Sequence, residues 1–235
     1  MTRCCRSRPS IFRGVKTQFD TIGAVAMLLI GMFDSPFVRR VAVSMKLLGF
    51  AFEHANWSVG KDHAQIRRYS PLGRVPTLVL EDGEVLIESA AILDHLDSAV
   101  GPERALVPTT GAARREVLQL VALTIGAAEK GLDQIYERIA RPPEKRHEPW
   151  EERCRSQMHG AFGEIERRHD QRPGRWLVGE HLTQADITLT CVWTCLHEAL
   201  ALDDGPYPSL TALAERCEAL PEFEATRMPW FAAKL

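Results

Sequence analysis

What this 235-residue sequence lacks narrows its chemistry first. Its six cysteines form no Cys-x-x-Cys and no zinc-like pairing, so they read as reduced thiols of a cytosolic protein rather than as a metal or dithiol centre. The eight histidines form no His-x-x-x-His and no His-Glu-x-x-His. There is no P-loop, no Gly-x-Gly-x-x-Gly and no Gly-x-Ser-x-Gly, which leaves no signature for nucleotide, dinucleotide or serine-hydrolase chemistry. Charge of either sign is scarce in the balance: a net −2 and an isoelectric point near 6.5 give no reason to expect nucleic acid or an anionic membrane surface as partner. After residue 33 no stretch approaches the roughly 18 to 20 apolar residues that cross a bilayer. Repeats and low-complexity segments are absent too. What remains is 45% hydrophobic and 26% charged, ordinary for one large or two small globular domains.

The start of the chain differs in character from the rest. Residues 1–26 carry Arg3, Arg6, Arg8, Arg13 and Lys16 against Asp20 alone. With "TIGAVAMLLIGMF" behind it this resembles a secretory leader with Ala24-Val25-Ala26 as the cleavage site, yet the most apolar part lies beyond that site. We therefore expect the folded body to begin at Met27, with 1–26 an extension that is disordered or not native to the fold. "LLIGMF" (28–33) suits a buried strand. Ser35-Pro36 then opens a helix, since proline is at home in a first turn and serine before it can cap free amides. Val38, Val41, Met45 and Leu48 recur at helical intervals up to Gly49.

"AFEHANW" (51–57) reads as a strand and "KDHAQIRRYSP" (61–71) as a short polar helix stopped by Pro71. "VPTLVLEDGEVLIES" (75–89) is two strands joined by Asp82-Gly83, a strong hairpin signal. A helix over 88–100 turns Ile92, Leu93 and Leu96 inward. The order β-α-β-α-β-β-α ends at the linker "GPERALVP" (101–108). Beyond it all is helical. A long helix over 110–140 has Val117, Leu120, Val121, Thr124, Ala128, Leu132 and Ile135 on one face, and "RPPEKRHEP" breaks it. A second helix spans about 150–169. Residues 182–200 are apolar nearly all round, which implies a central buried helix capped by Thr183 with Asp186. Cys191 and Cys195, four apart on it, are small buried residues. Two short amphipathic helices close the chain.

A small β-α-β-α-β-β-α unit with a proline before its third strand, followed by helices, resembles the glutathione transferase family from about Met27 onward. The pieces that carry the resemblance are Ser35-Pro36-Phe37 with Arg39-Arg40, "SPLGRVPTL" (70–78), "ESAAILDHL" (88–96) and "GEHLTQADITL" (179–189). The Ser-Pro-Phe start is similar to bacterial members and to the tau and zeta groups. The resemblance implies an α/β plus all-α fold: a thioredoxin-like glutathione-binding domain at about 27–104, and an all-α domain at about 109–235 that contributes the electrophile pocket. It implies glutathione as co-substrate, no metal, a homodimer and a cytoplasmic location.

Residue by residue, it implies a cis Val75-Pro76 bond with the cysteinyl backbone of glutathione paired to Val75 as an added strand. Glu88 and Ser89, at the start of the third helix, would take the γ-glutamyl end, where free amides and the helix dipole favour a carboxylate. Arg74 would approach the glycyl carboxylate, and Phe37 belongs to the same set, with backbone amides near the sulfur. Ser35 is the catalytic candidate. A thiol with a pKa of about 8.5 is mostly protonated at neutral pH, and a donated hydroxyl at a helix N-terminus favours the thiolate. No cysteine stands at 35–38, so dithiol reductase chemistry is disfavoured. Addition of glutathione to a small hydrophobic electrophile fits, as in detoxification. A glutathione-dependent isomerase or lyase, or a non-catalytic binding or regulatory protein of the same fold, is the alternative. The electrophile pocket is expected between the first helix and the long helix, lined by Phe33, Phe37 and residues from Ile125 to Tyr136. Trp193 or Trp230-Phe231 would close it.

Overall fold

The computed structural model describes residues 26–231, so the extension expected at 1–26 lies almost wholly outside the described residues. Four short strands form one sheet in the order β2-β1-β3-β4: β1 Met27–Ile30, β2 Phe52–Ala55, β3 Thr77–Val79 and β4 Val85–Ile87. β1 and β2 are parallel, with Leu29 opposite His54, and the other pairs are antiparallel. Helices α1 (Pro36–Leu48) and α3 (Ser89–Val100) pack on this sheet, with α2 (His63–Ile66) in the crossover to β3. Leu29, Val38, Met45, Leu78, Ile92 and Leu96 are fully buried between them, each worth about 1.5–3 kcal/mol relative to exposure. Gly49 ends α1 in the left-handed region at φ 80°, which glycine enters without a Cβ penalty. Asp82-Gly83 turns the hairpin, with Leu80 N–H bonded to Glu84 O at 2.8 Å.

Two elements are shorter than the sequence pattern predicts. The helix expected over 61–71 is regular only from His63 to Ile66, because Ile66 is the one apolar residue buried along it and Pro71 disfavours helical geometry before it. The first strand ends at Ile30 because Gly31 takes φ 128°. A Cβ there would lie 2.6 Å from Val38 Cγ2 and 2.8 Å from Val75 Cβ, so glycine is what lets α1 and the segment before β3 close on the strand end.

The helical unit comprises α4 (Gly111–Ala140), α5 (Glu148–Gln171), α6 (Gln184–Leu200), α7 (Pro208–Glu218) and α8 (Pro221–Glu224). α6 is buried from Gln184 through Trp193, as its apolar sequence predicts, while its last turns reach the surface with Glu198 exposed. At its start Thr183 N–H donates to Asp186 Oδ2 at 2.8 Å, and Ala185 N–H donates to Thr183 Oγ1 at 3.3 Å. Asp186 is fully buried and also accepts from Leu177 N–H, so it organises the fold rather than a reaction. Among the described residues no helix is long and apolar enough to cross a membrane.

Helix α1 joins the two units. Arg39, almost fully buried, holds both carboxylate oxygens of Glu218 at 2.6 Å and donates to Phe223 O at 3.1 Å. Burial disfavours the Glu218 carboxylate, but bonds from Arg39 and Thr194 outweigh it and hold its pKa below the ordinary range. Arg40 reaches Ser89 Oγ at 2.7 Å and Thr188 Oγ1 at 3.3 Å, one group in each unit.

Candidate active site

Ser35 occupies the N-cap position of α1 with extended backbone, and its carbonyl accepts the Arg39 amide at 2.9 Å. Its hydroxyl makes no bond to the helix amides. An ordinary cap would spend that hydroxyl on the first turn. Among the described residues the Ser35 hydroxyl has no hydrogen-bond partner, and it stands at the wall of a cavity of about 450 Å³.

One side of that cavity comes from the sheet unit. Ser35, Pro36, Phe37, Arg74 and Val75 line it, joined by Trp57 from the β2–α2 connection and His63 at the start of α2. His63 can lie so close because residue 73 is glycine: a Cβ there would meet its ring at 2.4 Å. The Val75–Pro76 bond is cis, and the Val75 amide and carbonyl take part in none of the backbone bonds outside the regular elements. The other side comes from the helical unit. Glu129, Leu132, Asp133, Tyr136 and Ile139 form one stripe of α4, and Trp230 and Phe231 from the end of the described chain complete the wall. That end is tied down by Trp230 N–H to Glu198 Oε2 at 2.7 Å and Phe231 N–H to Asp34 Oδ2 at 3.3 Å. Burial raises the Asp34 pKa against the lowering effect of the Phe231 amide and of the Ser35 and Asp34 amides.

Glu88 and Ser89 stand beside this cavity rather than in its wall, as does the buried Pro76. Arg74, largely exposed, lies 3.7 Å from the Glu88 carboxylate. Glu88 has φ 68°, a strained region for a residue with a side chain, directly at the start of α3. Ser89 is buried and its oxygen accepts from Arg40, which leaves its own proton for another acceptor. Burial lowers the Arg40 pKa to about 10, so it remains a cation at neutral pH. The first amides of α3, Ser89 Oγ–H and this buried cation together suit a carboxylate.

Two pocket expectations are corrected. Phe33 is not part of the wall: its ring stacks on His54 with centroids 3.8 Å apart, against the sheet core. Trp193 packs edge-on to Phe162 and Tyr207 inside the helical core, because α6 is buried from Gln184 through Trp193. Phe37, Tyr136, Trp230 and Phe231 do line the cavity. Glu129 and Asp133 fall within the expected Ile125–Tyr136 stretch, whereas Trp57, His63 and Asp34 were not anticipated. Burial pushes the Cys191 and Cys195 thiols up to about 12, so neither is a nucleophile at neutral pH. The described residues hold no group of three or more side chains suited to a metal.

The profile for the N-terminal domain of glutathione S-transferases matches residues 29–104, and that for the C-terminal domain matches 131–225. The chain belongs to the glutathione transferase family. Within the family its fold is similar to a glutathione S-transferase of Methylobacterium radiotolerans solved with glutathione sulfonate. That match has a TM-score of 0.81 and 27% identity over 88% of this chain and 96% of that one. In sequence it is similar to a probable maleylacetoacetate isomerase of Vibrio cholerae, 28% identical over 85% of this chain and 94% of that protein. It is 32% identical to the GST-like protein YibF of Escherichia coli, over 52% of this chain and 59% of that protein.

Proposed function

We propose that this member of the glutathione transferase family binds glutathione along Val75, activates its thiol as thiolate through Ser35, and adds it to an electrophile held between α1 and α4. The observation that carries this reading is the uncommitted hydroxyl of Ser35 at the start of α1, facing the same cavity as Val75. The glutathione sulfonate held by the Methylobacterium relative supports the co-substrate. The cysteinyl backbone pairs with the free amide and carbonyl of Val75, the γ-glutamyl carboxylate meets Ser89 and the α3 amides, and the α-ammonium meets Glu88. Arg74 serves the glycyl carboxylate at the solvent edge. The Ser35 hydroxyl then donates to sulfur, and the positive end of α1 adds to the stabilisation. The protein works as a cytoplasmic homodimer.

A glutathione-dependent isomerase is the second reading, favoured by the Vibrio relative's name. Maleylacetoacetate carries two carboxylates, whereas the α4 wall presents Glu129 and Asp133, so the transferase reading stands first. The test monitors the ultraviolet signal of bound thiolate and the fate of glutathione with aryl halides, epoxides, enoyl compounds and maleylacetoacetate. Conjugates accumulating as glutathione disappears support the transferase. Turnover with glutathione unconsumed means isomerisation. Binding without turnover of any of them would leave a non-catalytic binding protein.

A further inference from the structure

The two sides of the cavity differ in charge. Arg74 and His63 stand on the sheet side. The helical side is acidic: Glu129 and Asp133 are four residues apart on α4, one turn of the same face, and the sheet side adds one carboxylate of its own, Asp34. The basic groups nearby stay outside the wall, and Lys130 offsets Asp133 in part, which leaves Glu129 as the α4 carboxylate without an ion pair among the described residues. Lys130 binds Asp133 Oδ2 at 2.7 Å while lying over the Trp150 ring at 5.1 Å, and it is not part of the wall. Lys61 lies over the Phe231 ring at 4.9 Å and is not part of the wall either. Tyr136, Trp230 and Phe231 stand in the same wall, and aromatic faces attract cations as carboxylates do. A carboxylate entering there would be desolvated beside like charges, which is unfavourable.

We propose that the electrophile this pocket accepts pairs an apolar body with a positive group, a quaternary or protonated amine seated at the Glu129–Asp133 face, and that carboxylate-bearing electrophiles are discriminated against. The inference rests on the transferase reading of the cavity and names its substrate class. The apolar body lies along Leu132 and Ile139.

The test uses three S-benzylglutathione conjugates whose para-propoxy chain ends in trimethylammonium, its neutral isostere tert-butyl, or carboxylate, with binding measured by calorimetry on the full chain. The spacer keeps the sulfur chemistry identical. The trimethylammonium conjugate should bind about tenfold tighter than the tert-butyl one at low ionic strength, and the carboxylate about tenfold weaker. The spread should contract in about 0.5 M salt, where exposed charges are screened. Glu129→Gln and Asp133→Asn should each narrow it at low salt. The wild-type salt response carries the test if a variant fails to fold. Equal affinities for the three conjugates, or tightest binding by the carboxylate, would overturn the proposal. The matching benzyl chlorides are assayed for turnover in parallel. Ordered affinities without turnover refute the transferase reading and keep the charge preference; no binding by any conjugate refutes both.

Discussion

Replacing Ser35 by alanine removes one hydroxyl and little else. The side chain makes no bond to α1, so the helix keeps its Arg39 amide bond to the residue-35 carbonyl and its Pro36 start. Val75, Ser89 and Arg74 are untouched, so glutathione affinity should survive. What is lost is a hydrogen bond to a charged sulfur, worth about 1.5–3 kcal/mol. At about 1.36 kcal/mol per pKa unit, the bound thiol should rise by roughly one to two units. The α1 dipole, worth about 0.3–1 kcal/mol, remains and keeps the pKa somewhat below that of free glutathione. At neutral pH the thiolate fraction, and kcat with it, should fall about 10- to 100-fold. Thiolate absorbance is titrated against pH alongside conjugation kinetics for both proteins. The activity profile of the variant should recover at high pH, where the thiol ionises unaided. An unchanged thiolate pKa with an unchanged rate would refute the reasoning and move activation to the dipole and the amides near Phe37.

Three further outcomes are expected. Ser89→Ala should raise KM for glutathione more than it lowers kcat, because the bond is made in both ground and transition states; a hundredfold fall in kcat at constant KM would contradict this. A chain starting at Met27, where β1 begins, should match the full chain in melting temperature and glutathione affinity, and a loss of several degrees would show that residues 1–26 support the body. Glu218→Ala should strand buried Arg39 and cost about 3 kcal/mol in denaturant unfolding. The native Glu218 pKa is depressed, so the unfolded chain takes up its proton first: the contribution is present above the ordinary glutamate range and lost as pH falls through the depressed value. Glu218→Gln should flatten that part of the acid melting profile, and an unchanged profile would assign the acid sensitivity to another group.

The sheet side of the site was legible because its residues carry local signals: a proline in a first turn, a Val-Pro before a strand, a Glu-Ser at a helix start. Each fixes backbone geometry within a few residues of itself. The helical side has no such anchor. Tyr136 could be placed on the inner face of α4, but whether Glu129 and Asp133 face the cavity depends on how α4 is turned against α1, a tertiary matter. Trp193 shows the converse. An aromatic on an apolar helix reads equally as pocket or core, and the rings of Phe162 and Tyr207, far apart in sequence, decide for core. Phe33 misled because it sits two residues from Ser35, while its ring stacks on His54 of the neighbouring strand. Trp57 lies in the irregular connection after β2 and His63 opens the one-turn helix α2, where only the later glycine at 73 hints at a close approach of the ring.

Helix α1 belongs to both halves of the molecule, and this bears on how such a chain diversifies. The α4 stripe shares no side-chain hydrogen bond with Val75 or Ser89, so selection can redraw that part of the wall and leave the glutathione side alone, whereas the tail is tied to Asp34 of the sheet side. Arg39 and Arg40 have no such freedom. Each ties the helix that begins beside Ser35 to side chains of the helical unit, so a change at either perturbs stability, thiol chemistry and substrate choice together. Mutational tolerance mapped along α1 should therefore drop sharply at these two arginines, while on α4 it should track the electrophile in use.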